Sequence, residues 1–191
     1  MSYTRLTLLF GLLLLASAAH FRGSGIESGP YLQEPSPTSM WVCWETSGTT
    51  ESTVEFGTTP LILDSASGSY LNSSGGTIIH QVYLTGLLPS TTYWYRVKTG
   101  SWYSDISHFQ TPPPQTSEAS WRFAALSDTQ LDGSNSQKHR EVIEDGIMAY
   151  TNQQYGPDIA EELAFVLNVG DLVSTGSNHS HWQDQIGRAH V

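Results

Sequence analysis

The chain has 191 residues, enough for one large or two small domains. Its formal charge is −10, from 18 acidic against 8 basic residues, which argues against binding nucleic acid through a basic face and favours solubility. A single cysteine, Cys43, excludes an intrachain disulfide and a zinc–thiolate site.

Arg5 precedes the apolar run Leu6 to Ala16, and Ala16-Ser17-Ala18-Ala19 supplies small residues for cleavage. This pattern predicts a secretory signal peptide over residues 1–19, with an apolar stretch too short to span a bilayer. No later stretch is long and apolar enough to cross a membrane, so the mature chain is expected to be free of one and secreted, or periplasmic in a bacterium. Asn72-Ser73-Ser74 and Asn178-His179-Ser180 fit the glycosylation acceptor pattern.

Residues 26–111 read as an all-β domain. Met40 to Trp44, Thr53 to Gly57, Ile78 to Leu84 and Thr92 to Val97 alternate in hydrophobicity, and Ser104 to Gln110 is a last candidate strand. These short runs are rich in β-branched and aromatic residues and are broken by Gly, Ser and Pro, the pattern of an antiparallel sandwich of about seven strands. Cys43 lies in one of the alternating runs and reads as a small core residue. Within the element Leu84-x-x-Leu87-x-Pro89-x-Thr91-x-Tyr93, the Pro sets the strand entry and a buried Tyr hydroxyl can bond back to the corner.

Pro112-Pro113-Pro114-Gln115-Thr116-Ser117-Glu118 predicts a stiff, solvated linker over residues 112–119. The composition then changes. Trp121 to Leu126 reads as a strand, and Ser136 to about Gln154 as a helix with a stripe of Val142, Ile143, Ile147 and Tyr150 that Gly156-Pro157 terminates. Leu163 to Val169 reads as a second strand, apolar enough to be buried on both faces. Strand, helix, strand in this spacing predicts a βαβ unit with parallel strands.

Both strands end in an acid: Ser127-Asp128-Thr129-Gln130 after the first, Gly170-Asp171-Leu172-Val173 after the second. Ligands of open α/β sheets bind beyond the carboxyl ends of the strands. Carboxylates on neighbouring strands, about 4.8 Å apart, can share a hard cation, and one carboxylate can bridge two cations about 3.5–4 Å apart. Taken alone, Ser127-Asp128 reads equally well as a turn or helix cap, and Gly170-Asp171 as a turn. Their occurrence together in one βαβ unit points to a metal site. His179 and His181 read as solvated loop histidines, His139 as an exposed helix residue, and Trp182 as packing a following helix against the sheet.

Two resemblances join these readings. Gly29-Pro30-Tyr31-Leu32-Gln33, Pro37-Thr38-Ser39-Met40, Val54-Glu55-Phe56-Gly57 and Leu84 to Val97 resemble the fibronectin-type-III-like N-terminal domain of purple acid phosphatases. Ser127 to Gln130 and Gly170 to Val173 resemble the first two blocks of calcineurin-like metallophosphoesterases. The resemblance implies a β-sandwich followed by the start of a layered α/β metallophosphoesterase domain, residues 120–185. It implies a two-metal phosphoric ester hydrolase in which metal-bound hydroxide attacks a phosphoryl group, with two Fe, Zn or Mn ions as cofactors and a phosphate ester as substrate. By the same resemblance Asp128 ligates the first metal and Asp171 bridges both. Gln130 stands where the family usually has His, a weaker oxygen donor. Ser174 stands where purple acid phosphatases place the Tyr of their iron site, so tyrosinate–iron is not expected. The family's Asn-His block and later histidines have no counterpart here, and Ile186 to Val191 resembles a translated sequencing adapter, a possible non-native tail. The 191-residue chain is therefore expected to be an inactive fragment. The other reading is a secreted binding or adhesion protein that uses the sandwich and carries a decayed α/β part.

Overall fold

The computed structural model describes residues 25–130, 135 and 137–186, and the side chains up to residue 182. The predicted signal peptide and the terminal residues 187–191 lie outside the described residues.

Nine strands build the first domain: β1 (Ile26–Ser36), β2 (Ser39–Thr46), β3 (Thr53–Gly57), β4 (Asp64–Ser67), β5 (Ser69–Asn72), β6 (Ile78–Thr85), β7 (Thr92–Thr99), β8 (Trp102–Tyr103) and β9 (Ser107–Gln110). One sheet runs β1-β2-β6-β5. The other runs β4-β3-β7, with β8 and β9 both pairing the far edge of β7. All these pairings are antiparallel. The architecture is the expected β-sandwich, with more strands than the roughly seven read from the sequence. The candidate strand at Ser104 to Gln110 is shorter than expected and begins at Ser107; Ser104 stays on Val97, its amide donating to the Val97 carbonyl at 3.0 Å and its hydroxyl accepting the Val97 amide at 3.0 Å.

Alternation explains the core. On β7, Tyr93, Tyr95, Val97 and Thr99 are buried and the residues between them are not. Facing them from the other sheet are Met40, Val42, Trp44, Val82 and Leu84, and every buried apolar residue of the core cluster lies between Met40 and Phe109. The Tyr93 ring packs between Phe56 and Phe109, and its hydroxyl accepts the Leu88 amide at 3.0 Å, the corner bond the Leu-Pro-Thr-Tyr element predicts. Cys43 is buried as expected, though on the opposite face of β2 beside Gln33. Burial pushes its thiol up to about 11, with the Glu34 carboxylate adding to the shift.

His80 is a core histidine. It stacks on Trp44 with ring centroids 4.7 Å apart, and its ring nitrogens bond the Thr46 hydroxyl at 2.7 Å and the Ser52 hydroxyl at 2.8 Å. Burial pushes its pKa down to about 4. In the unfolded chain a histidine takes a proton near 6.5. Between these values the unfolded state binds more protons, so stability is complete above about pH 6.5 and falls as pH drops toward 4. The expected loss between pH 6.5 and 5 is about 2 kcal/mol. Urea midpoints across that interval check it: the wild type should show the slope, and His80→Asn should flatten it.

Beyond the linker, β10 (Phe123–Leu126) and β11 (Phe165–Asn168) pair in parallel, as the βαβ reading predicts. Between them lie α1 (Lys138–Arg140), a π-wound stretch (Glu141–Met148), α2 (Ala149–Gln154) and the short α3 (Ile159–Glu162), whose N-cap Asp158 accepts the Ala160 amide at 3.1 Å. The last helix, α4, spans His179–Ile186. No described helix is long and apolar enough to cross a membrane.

Two expectations change here. The stripe on the crossover helix is His139, Ile143 and Ile147, at i, i+4 and i+8, which line a groove against Leu126 and Val166. His139 is 4% exposed, not a surface residue, whereas Tyr150 is 59% exposed. The β11 residues Val166, Leu167 and, just after, Val169 are 48%, 45% and 66% exposed, so the strand is not buried on both faces. Among the described residues this sheet has only two strands, with Phe123 stacked on Phe165 and Trp121 tilted against both, and a lone pair of strands cannot cover its own faces.

Candidate metal centre

The β10–β11 ladder pairs Leu126 with Asn168 and then continues past both strand ends. The Val169 amide bonds the Leu126 carbonyl at 3.0 Å, the Asp128 amide the Gly170 carbonyl at 3.1 Å, and the Gln130 amide the Asp171 carbonyl at 3.0 Å. These three bonds knit the two motifs into one structure, with Asp128 and Asp171 side by side at the carboxyl ends of parallel strands. This is the place the sequence reading assigned to them.

The backbone there is unusual. Asp128 has φ 57° and Asp171 φ 48°, both left-handed, and Gly170 has φ 155°. Asp tolerates the left-handed region better than most residues but is still strained there, by of order 1 kcal/mol. Gly170 makes the turn possible: its φ is closed to most side chains, and its amide donates to the Asn168 side-chain oxygen at 3.0 Å. The Ser127 hydroxyl donates to Asp128 Oδ2 and fixes that carboxylate against the strand end. Both aspartates are exposed, while Thr129 between the motifs is fully buried.

Gln130 supplies the most informative single atom. Its Oε1 is buried and has no hydrogen-bond partner. An acceptor stripped of water costs free energy unless something replaces the lost bond, and a cation would do so. Asp128, Gln130 and Asp171 therefore offer three oxygen donors from one turn pair, a set suited to a hard ion but about half of a six-coordinate shell. Among the described residues no group of three or more His, Cys, Asp or Glu side chains could hold a metal ion, so this donor set is partial.

Two further histidines have partners from across the linker, and for one of them the expectation changes. His179 is not a solvated loop residue: its Nε2 lies 2.8 Å from Glu45 Oε1 and 3.1 Å from Thr77 Oγ1, on the sandwich. His108 Nε2 lies 2.8 and 3.0 Å from the two oxygens of Asp158. These partners are 134 and 50 residues apart in the chain, a separation that only the folded arrangement can bridge. The Trp182 indole bonds the Gly176 carbonyl at 2.8 Å, pinning its own loop.

Comparison with known proteins places these features. Residues 30–111 match the family model described as purple acid phosphatase, N-terminal domain. Among solved structures, one described as PhoD is 15% identical and covers 91% of this chain and 38% of its own, with a TM-score of 0.57. The purple acid phosphatase PPD1 from seeds of yellow lupin (Lupinus luteus) is 18% identical and covers 84% of this chain and 38% of its own, with a TM-score of 0.52. At these identities the likeness establishes the fold. The chain spans under two fifths of the length of either. No curated protein sequence matches it.

Proposed function

We propose, from the premise that residues 30–111 form a purple acid phosphatase-like N-terminal domain, that this chain comes from a secreted, metal-dependent phosphoric ester hydrolase. The observation that carries the reading is the continued ladder, Asp128 amide to Gly170 carbonyl and Gln130 amide to Asp171 carbonyl. It sets two exposed carboxylates and an unbonded amide oxygen together at the carboxyl edge of a parallel sheet, directly behind that sandwich.

In this proposal Asp128 and Asp171 would hold the ions through their carboxylates, and Gln130 Oε1 would add a neutral donor. Bound there, a pair of Fe, Zn or Mn ions would supply the hydrolytic nucleophile near neutral pH and offset charge on the phosphoryl oxygens. The chain's own residues orient that chemistry. Ser127 steadies Asp128 through its hydroxyl, and Asn168 holds the Gly170 amide so that Asp171 keeps its turn. Ser174, exposed at the position where an iron-binding tyrosine would stand, leaves no phenolate for a charge-transfer site.

An aryl phosphate assay tests the proposal. The 191-residue chain is expected to be inactive with added Mn²⁺ or Zn²⁺, since three donors do not complete a two-metal site. A protein in which this sequence continues into further ligand-bearing strands is expected to hydrolyse the ester and to lose that activity with chelator. A longer protein that shows no metal-dependent hydrolysis, yet binds glycan or protein through the sandwich, would favour the adhesion reading instead.

A further inference from the structure

The segment beyond the linker meets the sandwich through two histidine–carboxylate pairs, and both cross the boundary. His179, at the start of α4, reaches Glu45 on β2 at 2.8 Å, with side chains 19% and 10% exposed. His108, on β9, reaches Asp158, the N-cap of α3, at 2.8 Å, with side chains 33% and 40% exposed. The pairs run in opposite senses: one histidine belongs to the α/β segment, the other to the sandwich.

We infer that these two pairs form a pH-sensitive clasp that holds the α/β segment against the sandwich in mildly acid solution and loosens it above neutrality. Imidazoles take up a proton between about pH 5 and 8, while carboxylates stay ionised there. A carboxylate only accepts, so Nε2 must carry hydrogen in both pairs. Adding the second proton turns each contact from a bond with one charged partner into one with two, an ion pair of opposite charges. Docking therefore tightens as the two imidazoles gain protons.

The surroundings fit that use. His179 also meets the Thr77 hydroxyl, and a Cβ at position 75 would run into its ring, so Gly75 leaves the seat open. Beside Glu45 on the same sheet face stand Tyr31 and Cys43. Tyr31 is pushed up to about 12, first by burial and then by Cys43 and Glu45, so it stays neutral across the working range. His108 lies against the Trp94 ring at 6.0 Å, and Glu34 lines the groove of about 740 Å³ that separates β1 from β11. On α3, Glu162 is committed to Arg122 at 2.9 Å, and Glu161 carries a second acidic group. Each histidine thus faces a carboxylate, and a proton on either imidazole meets attraction. The inference stands on these contacts and does not depend on the metal reading.

Limited proteolysis of the full chain tests it. A Glu-specific protease would cut the exposed linker at Glu118, with each rate divided by that of an unfolded linker peptide at the same pH. Partly exposed pairs are individually modest, so the normalised rate is expected to rise roughly 5-fold from pH 5.5 to pH 8. The H108Q/H179Q double variant should be cut fast and equally at both values. A wild type whose normalised rate does not change, or a double variant that keeps the wild-type ratio, would overturn the clasp. The wild type alone gives a second reading by NMR: the contact between the His179 ring and the Thr77 side chain should be intense at pH 5.5 and reduced at pH 8. Equal intensity at both would likewise overturn it.

Discussion

Trp44→Ala is expected to destabilise the sandwich by about 4 kcal/mol, a large share of the roughly 5–15 kcal/mol that holds a domain folded. Trp44 has no exposed surface and is the largest of the fully buried side chains. Truncation would open a cavity between the two sheets and remove the stack on His80. It would also strand a bond, because the indole donates to Thr99 Oγ1 at 3.0 Å, and that hydroxyl in turn donates to the Glu51 carbonyl at 2.7 Å. The Thr99 oxygen would stay buried with one partner lost. Equilibrium unfolding in urea reads the effect. A loss below about 1 kcal/mol would mean that the core is not organised around this residue.

Asp171→Asn is expected to behave in the opposite way, sparing the fold and removing the chemistry. Asn accepts the left-handed backbone at least as readily as Asp, so the φ of 48° is kept and stability should change by less than about 0.5 kcal/mol. The amide is neutral and a poor bridge between two cations. Where this sequence is followed by the rest of a phosphoesterase domain, loss of several kcal/mol of transition-state charge stabilisation corresponds to a fall in kcat of about 10³-fold. Metal content measured on the same preparations should drop with it. Full activity in the Asn variant would remove Asp171 from the bridging role. Ser127→Ala should be milder, since it removes only the hydroxyl that steadies Asp128.

What the sequence made legible follows physical lines. Strands β3, β6 and β7 announce themselves because each buries one face, and one-sided burial writes period-two alternation, while β2, buried along almost its whole length, is marked by its apolar and aromatic run. Tyr93 was readable because a corner needs both a Pro entry and a hydroxyl to close it. Gly170-Asp171 was readable because an apolar run that stops at Gly-Asp has to turn there.

The strands that escaped lack that imprint. β4 and β5, Asp64–Ser67 and Ser69–Asn72, are almost wholly exposed edge strands with serine-rich sequences, so no buried face patterns them. β1 carries Pro30 and Pro35, which argue against an ordinary strand, and its pairing with β2 shifts register three times, twice across those prolines. His139 was misplaced because a stripe counted from apolar residues alone passes over a histidine on the same helix face. His108 and His179 carry no local signal, since their partners come from the far side of the linker. The exposure of Val166 and Leu167 reflects the neighbours they have, and an apolar strand looks the same in sequence whether or not those neighbours are present.

Asp128, Gln130 and Asp171 are proposed to form the leading edge of a metal centre. Diffraction from crystals of this chain soaked in Mn²⁺, recorded at the manganese absorption edge, tests it most directly. The expected result is an anomalous peak between the two strand ends, within about 2.5 Å of an oxygen from Asp128 and one from Asp171, with Gln130 Oε1 turned toward it. A peak elsewhere on the chain, or none at these carboxylates under saturating metal, would contradict the account.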